Sequence, residues 1–407
     1  MGSELVLGLG GTVDYEIRWD GSVVERLIDQ YGIDAAELTR GHGFIEDERA
    51  LVVALLGYLR DGSGGERFTA SSEISTGFAT HFEYEVTLGG TGVRAGLAML
   101  RLGIGTLQHL VSIDDDVRRL LPPEMPYICS ADSDTTDPHV IVQYAAGTRI
   151  RARDIDITAP HPNRVIFTND PPNRDLVLSV ELEEALRSAD VFLVSGFNSI
   201  QEPAVLENRL DEIARLIGTL PATAVTYYED GGFHVPAFSP QARDRMASVT
   251  DVYSLNEDEM QAYLGRDIDL LDVTEVSRAL ADLRTLIPVR ILVVHTKYWS
   301  LALGAEAAAW REALVGGITM ASTRYLHGDA FTKADYDASH DLPQHTGGAA
   351  VVQALQAEFG DELSGVAAFV LTTDRPTTIG LGDTFVGGFI AALSRSTAPI
   401  RNLSPRR

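Results

Sequence analysis

The stretch Thr377-Thr378-Ile379-Gly380-Leu381-Gly382-Asp383-Thr384-Phe385, continued by Val386-Gly387-Gly388-Phe389, decides how the rest of the chain is read. Two glycines separated by one residue let a backbone turn approach a ligand closely, because neither brings a Cβ to clash. The apolar, small-residue run from Thr384 to Leu393 follows at once and predicts a buried helix. A glycine turn that opens a helix is an anion cradle, with free N–H groups at the positive end of the helix dipole. Asp383 stands in that cradle, where a carboxylate can take the proton of a hydroxyl attacking a bound phosphate. A plainer reading competes: an ordinary helix-opening turn with Asp383 as its N-cap. The rest of the chain has to decide between them.

Composition bounds the answer. A chain of 407 residues suits one large domain with a second, smaller one. Hydrophobic content of 45% with 22% charged residues is that of an ordinary globular protein. A net charge of −25 argues against nucleic acid or an anionic membrane as partner, since both need a basic surface. Lys297 and Lys333 are the two lysines, so a phosphate grip must come from arginine, backbone amides or a metal. Cys129 is the single cysteine, which excludes an intramolecular disulfide and a multi-thiolate metal site. Met1-Gly2-Ser3-Glu4 leads straight into an apolar strand, and no run of eighteen apolar residues occurs, so a soluble, cytoplasmic protein is expected.

Leu5 to Leu9 reads as a buried strand, and Gly10-Gly11-Thr12-Val13-Asp14 then turns and presents an acid. A dinucleotide fingerprint fails there, because Val13 stands where the third glycine belongs. Asp14 is instead a candidate for a sugar hydroxyl, or a solvated turn acid. Val23 to Tyr31 and Glu46 to Arg60 have helical spacing, inside a segment that interrupts the main core. A strand at Phe82 to Thr87 then runs into Leu88-Gly89-Gly90-Thr91-Gly92 and a small-residue helix ending at Leu102-Gly103. Three glycines at one turn exceed what close packing alone requires, so Gly89, Gly90 and Thr91 are candidate ligand contacts. Residues 122–175 form a second excursion, with a strand from His139 to Tyr144 and with Asn169 and Arg174 as candidate contacts at its rim.

From residue 185 the pattern is regular: strands at 190–196, 223–228, 252–255, 290–295 and 369–371 alternate with helices and end in polar residues. This predicts an α/β fold, a doubly wound and mostly parallel sheet flanked by helices, with ligands at the strand C-termini. The large domain is expected over 1–14, 89–121 and 176–407, and a smaller α+β lid over 15–88 and 122–175. His295-Thr296-Lys297, at a strand end, is a candidate phosphate contact, and a plain strand-end polar cluster explains it equally well.

The Gly380-Leu381-Gly382-Asp383 turn, Gly89-Gly90-Thr91-Gly92 and Asn256-Glu257-Asp258-Glu259 together resemble the ribokinase-like superfamily of sugar kinases. More narrowly, the chain resembles the ADP-dependent glucokinase/phosphofructokinase branch, over nearly its whole length and with both lid inserts. The resemblance implies Asp383 as base and Gly380, Leu381 and Gly382 as the anion hole. It also implies Asn256 on the nucleotide side, Glu259 and Glu229 at a Mg2+ site, and Asp14, Gly89 and Gly90 on sugar hydroxyls. With ADP as donor, the products are AMP and a phosphorylated sugar; Arg164, Arg174 or Arg94 would have to hold any sugar phosphate. Two other readings remain: an ATP-using ribokinase-type sugar or nucleoside kinase, and a catalytically silent sugar- or nucleotide-binding protein. The large lid points to a monomer.

Overall fold

The computed structural model describes residues 4–373 and 377–395. The first three and last twelve residues of the expected large domain therefore lie outside the described residues.

The central sheet has nine strands, in the order Leu363–Ala367, Trp299–Gly304, Ile291–His295, Val252–Asn256, Val225–Glu229, Val191–Val194, Leu5–Leu7, Leu107–Leu110 and Tyr127–Cys129. Among these, Trp299–Gly304 alone runs antiparallel to its neighbours. The chain starts in the middle of the sheet, builds one flank, then returns to build the other. That is the doubly wound order expected, and it leaves polar residues at the C-terminal edge on either side of the reversal. Strands such as Val191–Val194 and Ile291–His295 are buried along their whole length, because helices cover both faces. The strand expected at 369–371 is not present; the sheet uses Leu363–Ala367 instead, and Phe369 makes only an isolated bridge to Gln344.

A second sheet of five strands forms the lid, in the order Gly65–Phe68, Asn163–Thr168, His139–Tyr144, Thr12–Ile17 and Tyr84–Gly89. One face carries Ile17, Val140, Val142, Val165 and Phe167, which pack with the helices Gly21–Tyr31, Glu48–Asp61 and Ser72–Ala79. Alternation along the strands sends Asp14, His139 and Arg164 to the other face. Two boundaries differ from expectation. Asp14 belongs to a lid strand rather than to the end of the first core strand, because Thr12–Ile17 pairs with Tyr84–Gly89 and His139–Tyr144. Tyr127–Cys129, expected in the lid, extends the large sheet beside Leu107–Leu110.

The helix Leu381–Arg395 is held against Arg311–His327 and Thr91–Leu100 at contact distance. A Cβ on Gly388 would lie 2.2 Å from the Gly316 carbonyl oxygen, and one on Gly387 would lie 2.8 Å from that of Ala95. Backbone packs on backbone there, so the helix N-terminus has one available position. Gly388→Val should lower stability by about 3 kcal/mol through overpacking. Urea unfolding measures it, with Gly232→Ala, where a Cβ meets nothing within 4 Å, as the neutral control.

Candidate active site

Three neighbouring parallel strands end at the same edge and bring their terminal residues together. Glu229 lies in register with Ser254, and Asn256 with His295. Opposite them stands the turn Gly380-Leu381-Gly382 with Asp383 in the first turn of its helix, where Gly380 has φ +69° and glycine is required. Between the two lies a cleft of about 770 Å³, whose wall includes Glu229, Asn256, Glu259, His295, Leu381 and Asp383. Gly380, Gly382, Thr91 and Thr296 line it as well.

Asn256 caps the helix Glu257–Leu264: its side chain accepts from the Asp258 and Glu259 amides while Glu259 reaches back to the Asn256 N–H at 2.8 Å. Burial, joined by the Asp230 and Glu229 charges, pushes the Glu259 carboxyl up to about 8, against the effect of that N–H. Glu229 pairs through one oxygen with His295 Nε2 at 2.9 Å. Its other oxygen is buried with no hydrogen-bond partner within bonding distance among the described residues. The His295 ring lies flat on Phe385, 4.4 Å between centroids; burial lowers its pKa, but the charge and hydrogen bond of Glu229, with Glu259 and Glu257, together raise it.

Asp230 is enclosed by donors. It accepts from Tyr253 at 2.6 Å, Tyr263 at 2.5 Å, Tyr228 at 3.1 Å and the Gly231 amide at 2.9 Å. Even so, burial raises its pKa. Deeper along the cleft, Ile318, Ala321, Tyr325, Phe369 and Leu371 give an apolar strip.

The lid face supplies the other half. Asp14 accepts from Thr12 Oγ1 at 2.7 Å and from Arg94 at 2.8 Å, and the same guanidinium lies 4.0 Å from Asp383. His139 Nε2 bonds Asp170 at 3.0 Å; burial lowers its pKa, but Asp170, with Glu66 and Asp14, carries it up to about 9. His234, on the loop after Glu229-Asp230, stands 2.7 Å from Glu66 and edge-on to Phe68 at 4.8 Å. Arg164 lines the cleft from the lid.

Asn169 and Arg174, expected at the ligand, are placed elsewhere. Asn169 donates to the Thr69 carbonyl at 2.7 Å and accepts from Ser72, which ties lid segments together. Arg174 pairs with its neighbour Asp175 at 3.1 Å on the short helix Pro171–Asp175. Gly89 and Gly90 leave room for close approach: a Cβ on Gly89 would lie 2.3 Å from Asp14 Oδ2, and one on Gly90 2.9 Å from the Gly11 Cα. The roles of Asp230, His139, His234 and Glu66 were missed. A signal existed for His139, on the polar phase of a lid strand, and for Asp230, beside Glu229 at a strand end; Glu66 and His234 gave none.

A doubly wound sheet with a lid, a glycine turn at a helix N-terminus and paired acids across the cleft defines a kinase-type α/β protein. Residues 3–390 match the conserved region of the ADP-specific phosphofructokinase/glucokinase. The chain belongs to that family, whose members are ADP-dependent sugar kinases: phosphotransferases with an alcohol group as acceptor. Solved structures agree in fold. A hypothetical ADP-dependent phosphofructokinase from Pyrococcus horikoshii OT3 is 16% identical, with a TM-score of 0.75 over 97% of this chain and 98% of that one. An ADP-dependent kinase in complex with fructose-6-phosphate and ADPβS is 14% identical, with a TM-score of 0.69 over 96% of this chain and 94% of its own. An adenosine kinase from Sinorhizobium meliloti is 13% identical, with a TM-score of 0.51 over 98% and 89%. Among curated proteins none matches.

The His139–Asp170 bond carries a pH signature. A histidine pKa raised on folding stabilises fully below the unfolded value and loses that contribution as pH rises through the folded one. The stability gap between wild type and His139→Gln should therefore narrow between pH 6.5 and about 9. Urea midpoints at the two ends measure it.

Proposed function

We propose that this ADP-dependent sugar kinase phosphorylates a sugar phosphate, with Mg2+, and releases AMP. The observation that carries the reading is the Gly380–Asp383 turn facing Glu229 and Glu259 across one cleft, with Arg164 reaching in from the lid. The acceptor hydroxyl rests against the lid face beside Asp14 and gives its proton to Asp383 as the phosphoryl departs. The amides of Leu381, Gly382 and Asp383 precede the first bond of their helix, Thr384 N–H to the Gly380 carbonyl at 3.0 Å. They are left to steady the migrating phosphoryl. The apolar strip at Tyr325 and Phe369 suits the nucleotide base, and His295-Thr296-Lys297 lies on its phosphate side. Arg164 supplies the guanidinium that a phosphate on the acceptor needs.

Among the described residues, no three His, Cys, Asp or Glu side chains group to hold a metal directly. Mg2+ fits nonetheless, since it keeps most of its waters and takes one or two carboxylates plus phosphate oxygens. The unpartnered buried oxygen of Glu229 and the strained ionisation of Glu259 are what a cation would relieve. When bound, it would neutralise charge on the donor phosphates. The lid closes over the cleft from within the same chain, which supports a monomer.

Asp383→Asn should lower turnover by about a thousandfold or more while leaving ADP binding in place, read by calorimetry. A coupled assay of ADP and ATP against hexoses and hexose phosphates tests donor and acceptor together. ADP with a hexose phosphate is expected; turnover of unphosphorylated hexoses alone, or with ATP alone, overturns the corresponding half. Glu259→Gln should raise the Mg2+ concentration for half-maximal rate by about tenfold, and an unchanged titration removes Glu259 from that role.

A further inference from the structure

Arg94 is a charged side chain in an expensive place. It lies in the first turn of the helix Thr91–Leu100, where the helix dipole disfavours a cation, and it is 6% exposed. Nothing about helix formation asks for it. Its neighbours account for its position: Nη2 bonds Asp14 at 2.8 Å and lies 3.6 Å from Glu16, both on the lid strand Thr12–Ile17. Its Nε lies 4.0 Å from Asp383 on the opposite side. The stem runs beneath the anion-hole turn, where a Cβ on Gly380 would lie 2.8 Å from Arg94 Cδ and 3.1 Å from Nη1. Burial lowers the guanidinium pKa, but Asp14, Asp383 and Glu16 together raise it above its ordinary value. It is therefore a cation in place, spent on internal partners. It is not the loose phosphate clamp that the scarcity of lysine suggested.

We propose that Arg94 is a positioning residue that couples the acceptor-binding carboxylate Asp14 to the base Asp383, so that lid and anion hole are aligned by one guanidinium. The inference rests on the reading of Asp383 as the base. One planar group with its donors in fixed directions sets the separation of two carboxylates, which a flexible ammonium does not. Asp14 fixes the acceptor relative to the lid, and Asp383 must meet the acceptor hydroxyl at hydrogen-bond distance. An error of about 1 Å between them costs about a hundredfold in rate. The same guanidinium packs under Gly380, so the amides that receive the phosphoryl share this reference point. Buried ion clusters of this kind are weak contributors to stability, which makes a positioning role the better account of the cost.

The experiment is a kinetic double-mutant cycle in the full chain, using ADP, Mg2+ and the panel of hexoses and hexose phosphates. Arg94→Met keeps the stem and removes the charge. It should lower kcat by about a hundredfold and raise the acceptor KM by about tenfold, with the ADP KM within about twofold. In the Asp383→Asn background the same substitution should cost kcat less than about threefold, because Arg94 acts through that carboxylate. Arg94→Lys should recover part of kcat; if Arg94→Met does not fold, by circular dichroism and thermal melting, Arg94→Lys carries the cycle alone. Folded Arg94 variants with kcat within about threefold of wild type, or losses that add in full to that of Asp383→Asn, overturn the proposal. A different pattern marks failure of the kinase reading itself: no turnover by wild type with any acceptor, or Asp383→Asn as active as wild type. Either result takes the present inference with it.

Discussion

Two glycine segments cross in contact at the centre of the molecule, and the site depends on that crossing. Gly8 to Gly11 link the strand Leu5–Leu7 of the large sheet to Thr12–Ile17 of the lid, and Gly89 to Gly92 carry the chain back into the helix Thr91–Leu100. A Cβ on Gly90 would lie 2.9 Å from the Gly11 Cα, and one on Gly92 would lie 3.2 Å from the Gly8 nitrogen. No side chain fits between the two passes. The two sheets are therefore joined by a few closely packed residues near the point where the helix carrying Asp383 begins. Asp14 lies three residues beyond one pass and Arg94 two beyond the other, which is why they meet despite being 80 residues apart.

Electrostatics follows from composition in an uneven way. A chain with net charge −25 has to bind phosphate, and its buried arginine at the site is already committed to Asp14 and Asp383. Local positive potential then comes from the first amides of the helix Leu381–Arg395, joined in the proposed function by a cation at Glu229 and Glu259. The three tyrosines around Asp230 serve the same balance. They give one acid its donors, so that the acids of the far wall do not all lean on one cation.

The large sheet was legible because its strands are apolar runs that stop at polar residues, and that pattern survives without knowledge of partners. That Asp383, Asn256, Glu259 and Glu229 line one cleft could be anticipated for the same reason: each stands within a few residues of a glycine turn or a strand end. Asn169 and Arg174 show the limit. A polar residue in a loop looks alike whether it faces ligand or a neighbouring carbonyl, and only the folded contacts with Thr69 and Asp175 decide. Phe369-Val370-Leu371 misled in the opposite direction, since its apolarity serves the cleft wall and the core rather than a sheet strand. Arg94 could be named but not placed, because its three carboxylate partners come from two other segments of the chain.

The lid's apolar packing fixes the chemistry of its other face. Asp14 pairs across the sheet with Thr87 on one side and His139 on the other, so all three lie on one face of the pleat. Ile17, Val140, Val142, Val165 and Phe167 lie on the opposite face, in the lid core. A slip of Thr12–Ile17 by a single residue would turn Asp14 toward that core and Val13 toward the opposite face. Burying an unpaired carboxylate and exposing the apolar set both oppose such a slip, and two paired neighbours resist it on both edges. The same register delivers Glu66 and Phe68 to His234 of the large domain, a second tie across the cleft beside the one made by Arg94. The placement of Asp14 on the cleft face is thus enforced from behind, by apolar side chains of the lid core.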